Sequence, residues 1–167
     1  MNDAALSPTG PGTSVYLLLA GAASLGVGLL HVGIIFYGGP AYRYFGAGER
    51  LARLAERGSQ EPAFVTSVLI LMFAGWAAYA FSGAGLVRRL PYLPTALLLI
   101  GLIYTGRGLA LVPQLYLWMS GGFEAVPVRH LWFSAASLAI GILYLAGTLL
   151  AAPVPVEPEV PPESEKA

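Results

Sequence analysis

The sequence predicts an all-α fold: an integral membrane four-helix bundle with a short interfacial helix in its first loop. Three observations carry this prediction. Hydrophobic residues make up 56% of the 167-residue chain and charged residues only 11%, where a water-soluble domain carries roughly 25% charge. Mean hydropathy is +0.69. The apolar residues gather into four long runs, each able to cross roughly 30 Å of hydrocarbon. Inside hydrocarbon a single run can satisfy its own backbone only as a helix.

The first run spans about Ser14–Tyr37 and ends at the helix-breaking cluster Gly38, Gly39 and Pro40. It is longer than the apolar stretch of a signal peptide, and residues 1–13 before it hold no Lys or Arg. It is therefore expected to stay in the mature protein. The second run spans about Ala63, just after Pro62, to Gly85. The third covers about Tyr92–Val112 and is expected to stop at Pro113, the fourth about Leu131–Ala152, stopping at Pro153. Residues 14–152 thus form the membrane domain, with an N-terminal tail at 1–13. The Pro- and Glu-rich stretch 153–167 has nothing to bury and is expected to be a disordered tail.

The first loop is too long for a turn. Residues Gly48–Gly58 read as a short helix bounded by glycines, with Leu51, Leu54 and Ala55 on one face and Glu49, Arg50, Arg53, Glu56 and Arg57 around the rest. That pattern suits a helix lying at the membrane surface, or a solvated loop helix laced by pairs such as Glu49–Arg53. An even number of spans puts both termini on one side. Arg43, Arg50, Arg53, Arg57 and Arg129 in loops one and three outweigh Arg88, Arg89 and Lys166. The expectation is loops one and three in the cytoplasm and extracytoplasmic termini.

Membrane helices associate through close packing of small residues. Ala20, Ser24 and Gly28 supply such a ridge in the first span. Ala74, Ala78 and Ser82, with Gly75 and Gly83 beside them, are expected to supply it in the second. Gly101 and Thr105, then Ser137 and Gly141, do so in the third and fourth.

Arg107 is the residue that most demands a reason. A charge inside a span costs roughly 2.5–3.5 kcal/mol on the lenient insertion scale, so it must face the bundle interior or snorkel. Tyr104 shares its helix face, and Gly106 and Gly108 leave room around it. His31, on the stripe of Ser24 and Gly28, falls at a similar depth toward loops one and three. That end also carries Arg43, Tyr44, Glu49, Gln114, Glu124, Arg129 and His130. Two readings follow. In the first, His31, Glu49, Tyr104 and Arg107 form a ligand-binding site, where Arg107 holds an anionic or carbonyl group and His31 handles a proton. In the second they are internal ties: Arg107 pairs with Glu49 or loop carbonyls, and His31 bonds a neighbouring backbone group.

Other chemistries find little support. A net charge of zero offers no footprint for nucleic acid. Zero cysteines exclude disulfides and thiolate chemistry. No acidic residue lies in a predicted span, which argues against a carboxylate-driven pump. Neither histidine has an acidic neighbour at metal-ligand spacing, and no phosphate loop or nucleophile elbow occurs. No catalytic residue, metal or cofactor is expected. Trp76, Tyr79, Trp118 and Trp132 are accounted for by core packing or interfacial anchoring.

The stretch His31 to Glu49, HVGIIFYGGPAYRYFGAGE, with WAAYAFSGAG from Trp76 to Gly85 and YTGRG from Tyr104 to Gly108, resembles small four-helix bacterial inner-membrane proteins of unassigned function. The topology is similar to that of the DoxX-like group, although the second span lacks that group's acidic residue. The resemblance implies a bacterial inner-membrane location and no particular activity. The expected function is non-enzymatic: binding a small amphipathic molecule, or a membrane-protein partner or second copy, at the polar end, amid membrane lipid. The alternatives are a small membrane-embedded enzyme using His31 and Arg107 on a lipid-soluble substrate, and an accessory subunit of a larger complex.

Overall fold

The computed structural model describes residues 11–121 and 126–150, and all regular structure among them is helical. In chain order the elements are α1 (Pro11–Tyr37), α2 (Gly39–Tyr44), α3 (Glu49–Glu56), α4 (Glu61–Gly83), α5 (Leu93–Gly108), α6 (Leu111–Met119) and α7 (Val128–Leu149). Four stretches are long and apolar enough to cross a membrane: Val15–Tyr37, Glu61–Gly83, Leu93–Met119 and Val128–Leu149. They support an integral membrane protein. The expected tails lie outside the described residues, except that Pro11 to Thr13 already belong to α1. Glu124, expected at the polar end, also lies outside them.

The third stretch runs past Pro113, where the sequence predicts an end. Pro113 has no N–H to give the Leu109 carbonyl, and its ring crowds that oxygen. Leu109 O accepts instead from Val112 N at 3.1 Å. The helix breaks there and restarts as α6 with Pro113 in its first turn, where a missing N–H leaves nothing unsatisfied. As a result Arg107 lies fourteen residues past Leu93 in a 27-residue stretch. It lies in the last turn of α5, just before the break.

The first loop also holds more structure than the sequence suggests. Gly38, at φ 65°, takes a turn open to few other residues, and α2 follows with Pro40 at its start. Glycines 48 and 58, at φ 95° and 75°, bracket α3 much as expected. Tyr42 and Ala52 pack with Ile34 into a small core of their own. The Tyr42 hydroxyl donates to Thr66 Oγ1 at 3.1 Å, because the Thr66 hydroxyl donates to Pro62 O at 2.8 Å. This ties the hairpin of α2 and α3 to the first turns of α4.

The long helices pack in the order α1, α4, α5, α7, with α7 returning to α1. Toward the α4–α5 turn they meet closely, around Leu17, Ala20, Ala80, Ala84, Leu97, Ile100, Tyr104, Ile140 and Tyr144. Glycine makes that approach feasible. A Cβ on Gly147 would stand 2.6 Å from Leu17 Cγ, and one on Gly83 2.8 Å from Leu17 Cδ1. The ridges expected on the first, third and fourth spans lie mostly in these contacts: Ala20, Ser24, Gly28, Gly101 and Gly141 are buried. On α4 the expectation needs correction. Ala74 and Gly75 are exposed and Ala77 and Ala80 face inward in their place, while Ser82 is buried and Gly83 packs on Leu17 as expected. The helix is apolar all round, so its sequence offers no polar face to fix its rotation.

One consequence concerns α5 and α7. A Cβ on Gly108 would fall 2.5 Å from the Leu138 backbone, whereas Gly106 next to Arg107 faces open space. Gly108→Ala should therefore cost about 1–3 kcal/mol through forced separation of the two helices, while Gly106→Ala should be neutral or mildly stabilising. Thermal unfolding of both variants in lipid nanodiscs measures this. Equal loss in both would mean that α5 is rotated from the position described.

Candidate functional site

Beyond the tightly packed half, the helices part around a cleft of about 400 Å³. Its walls come from all four long helices: Val27, His31 and Ile34 of α1, Met72, Phe73 and Trp76 of α4, Ile103, Tyr104 and Arg107 of α5, and Phe133, Ala136 and Ser137 of α7. Phe45, just after α2, stacks on Phe133 at 5.5 Å between ring centres. Tyr44 meets the same ring edge-on, and the Arg129 guanidinium lies 5.4 Å from the Tyr44 ring centre. These side chains roof the cleft at the loop-one end. Leu30 and Ile103, both on its wall, remain exposed, so the cleft opens sideways through the helices.

Beneath the cleft, behind Tyr104 and Trp76 of its wall, runs a buried chain of hydrogen bonds. Tyr144 OH gives its one proton to the Trp76 carbonyl at 3.0 Å. It must then accept from Ser24 Oγ at 2.9 Å, and Ser24 in turn accepts from Tyr104 OH at 3.1 Å. The direction of the whole chain follows from this proton count. It links α5, α1, α7 and α4 through groups sealed from solvent, Ser24 and Tyr144 being 0% exposed. The rings of Tyr104 and Tyr144 stack at 5.8 Å, and Trp76 meets Tyr104 edge-on at 5.1 Å.

Of the residues singled out by sequence, three share this cleft: His31, Tyr104 and Arg107. His31 Nδ1 lies 2.8 Å from Val27 O. A carbonyl can only accept, so Nδ1 carries the proton and Nε2 of the neutral ring is an acceptor. Its ring packs 5.1 Å from Phe73. Arg107 Nη1 donates to Ser134 Oγ at 3.3 Å, and Ser134 donates to Gln114 Oε1 at 2.9 Å. The bend at Pro113 sets α6, and with it Gln114, against α7.

Glu49 is elsewhere, and its expected pairing with Arg107 is corrected. Arg43 on α2 reaches across to α3, where Glu49 and Glu56 stand two turns apart on one face. Its Nε donates to Glu49 Oε2 at 2.8 Å and its Nη2 to Glu56 Oε2 at 3.0 Å. Arg53 completes the cluster on Glu49 Oε1 at 3.1 Å. The Arg43 guanidinium holds both carboxyls below the ordinary range, and they push its own ionisation higher. A neighbour on the same loop captures the carboxylate before a residue on α5 can. Among the described residues no acidic side chain forms an ion pair with Arg107.

Sequence reasoning missed Tyr144 and Ser134. Glycines at 141 and 147, one turn either side of Tyr144, were the available signal that this tyrosine faces a close helix contact.

Tyr144→Phe keeps the ring but removes the centre of the chain, leaving the Ser24 proton and the Trp76 carbonyl without their partner. The cost should be about 1–2 kcal/mol. Ser24→Ala combined with Tyr144→Phe should cost less than the two single losses summed, since both act in one network. Additive costs would show that the hydroxyls do not act as a unit.

No protein-family model, curated protein or solved structure matches the chain.

Proposed function

We propose that the chain is a non-enzymatic four-helix membrane bundle that takes up a small amphipathic molecule from the surrounding lipid into the cleft among its four long helices. The observation that carries this reading is the combination found in one cavity: aromatic and aliphatic walls, a sideways opening, and two polar heads, His31 and Arg107. Ligand sites are characteristically of this kind, mostly apolar with a few convergent polar groups, and span about 300–1,000 Å³. A sideways opening among membrane-spanning helices admits a lipid-soluble molecule without passage through water. The enzymatic alternative is weaker, because Glu49, the acid expected to assist His31, is held by Arg43 and Arg53.

The test places the probe as well as detecting it. Trp118 and Trp132 are replaced by Phe, leaving Trp76 in the cleft wall as the reporter, and the protein is held in phosphatidylcholine nanodiscs. A brominated single-chain amphiphile should quench Trp76 saturably, and Ala136→Phe, which fills the cleft, should remove the saturable part. Quenching that rises without saturation in both proteins would contradict a cleft site.

In the same reading the protein lies in a bacterial inner membrane, with α3 at the cytoplasmic surface and its arginines toward the headgroups. Reporter fusions near residue 55 should then score as cytoplasmic, and fusions at 10 and 87 as extracytoplasmic. The reverse pattern would invert the orientation, and a split between 10 and 87 would remove the four-span topology.

A further inference from the structure

We propose that the cleft's occupant is a single-chain amphiphile with a carboxylate head, bound to the Arg107 guanidinium beside His31. This rests on the reading of the cleft as a ligand site and specifies the chemistry of what enters it.

The charge balance around Arg107 is the first ground. The acidic side chains of the first loop are all engaged elsewhere: Glu49 and Glu56 with Arg43, and Glu61 with Arg50. Among the described residues, the hydrogen-bond acceptor that meets the Arg107 guanidinium is the neutral hydroxyl of Ser134. A cation held inside a span without a counter-charge among its neighbours is costly. An anion in the cleft removes that cost, and a carboxylate matches the fork of guanidinium donors better than any neutral head.

Depth is the second ground. Arg107 lies fourteen residues from Leu93, roughly 20 Å along α5, and shares its cleft with His31, six residues or roughly 9 Å inside the end of α1 at Tyr37. The phosphates of the resident bilayer sit at the span ends, so the anion must be carried in by a molecule that enters the cleft. A volume of about 400 Å³ admits one alkyl chain and not the paired chains of a phospholipid.

His31 supplies the third. Its Nδ1–H is committed to Val27 O, so its Nε2 offers an acceptor in the same cleft. That acceptor suits the O–H of an undissociated acid, the form in which a carboxylic acid partitions into lipid. Guanidinium and imidazole together thus fit both forms of a carboxyl head, and Phe73 and Trp76 provide apolar surface for the chain.

The test uses the Trp76 reporter protein and compares brominated decanoate, brominated decanol and brominated decyltrimethylammonium. The carboxylate should bind at least tenfold more tightly than the alcohol, and the cation should show no saturable quenching. Arg107→Gln should bring the carboxylate to the affinity of the alcohol, while Arg107→Lys should retain most of the preference. The comparison of heads on the unsubstituted cleft stands even if Arg107→Gln fails to fold. Equal affinity for carboxylate and alcohol would overturn this inference and leave the cleft site intact. Saturable binding of none of the three would overturn both.

Discussion

Four hydrogen-bonding groups, one from each long helix, meet at a single level of the structure: Tyr104, Ser24, Tyr144 and the Trp76 carbonyl. Between membrane helices there is no hydrophobic force to decide how the faces align, since lipid is as apolar as leucine. Directional bonds decide it instead. Each hydroxyl in this chain has its proton assigned by the next acceptor, so rotating any one helix leaves a polar group unsatisfied in an apolar setting. The rotation of α4, which its evenly apolar sequence leaves open, is set by the carbonyl it presents to Tyr144.

That level also divides the molecule. On one side, Leu17 seats between Gly83 and Gly147, and the helices come as close as backbone allows. On the other, Phe73, Trp76, Tyr104 and Phe133 stand where small residues would be needed for contact. Phe73 and Trp76 of α4 meet Tyr104 of α5 tilted and edge-on, and these rings fill the space between the pairs α1–α4 and α5–α7. On this side glycines bring together only the helices within each pair, Gly28 against Phe73 and Gly108 against Leu138, and the aromatics stand between the pairs, where the cleft lies. The hairpin of α2 and α3, locked by Arg43 and anchored through Tyr42, brings Phe45 over the top.

Much of this was legible in the chain. Hydropathy located the four long helices, and the placing of Ala20, Ser24 and Gly28 marked the inner face of α1. His31 and Arg107, expected at a similar depth, line one cleft, although the third stretch runs past the end from which that depth was counted. What could not be read has a physical reason in each case. A proline both stops and restarts helices, and only the neighbouring α7 shows that α6 continues the third span. Glu49 carries no label of its partner, and Arg43 lies nearer along a fold that α2 makes. Ala74 and Ala78 looked like a contact ridge because α4 is rich in small residues on several faces.

The parted half of the helices is either an occupied site or a space that lipid closes. The most direct measurement is an experimental structure of the protein in a bilayer nanodisc prepared with decanoate. The account predicts elongated density running from beside Trp76 to the Arg107 guanidinium, with Tyr104, Ser24 and Tyr144 in hydrogen-bonding contact beneath it. A cleft collapsed by Phe73 packing onto Ile103, with Arg107 turned out to the headgroups, would contradict it.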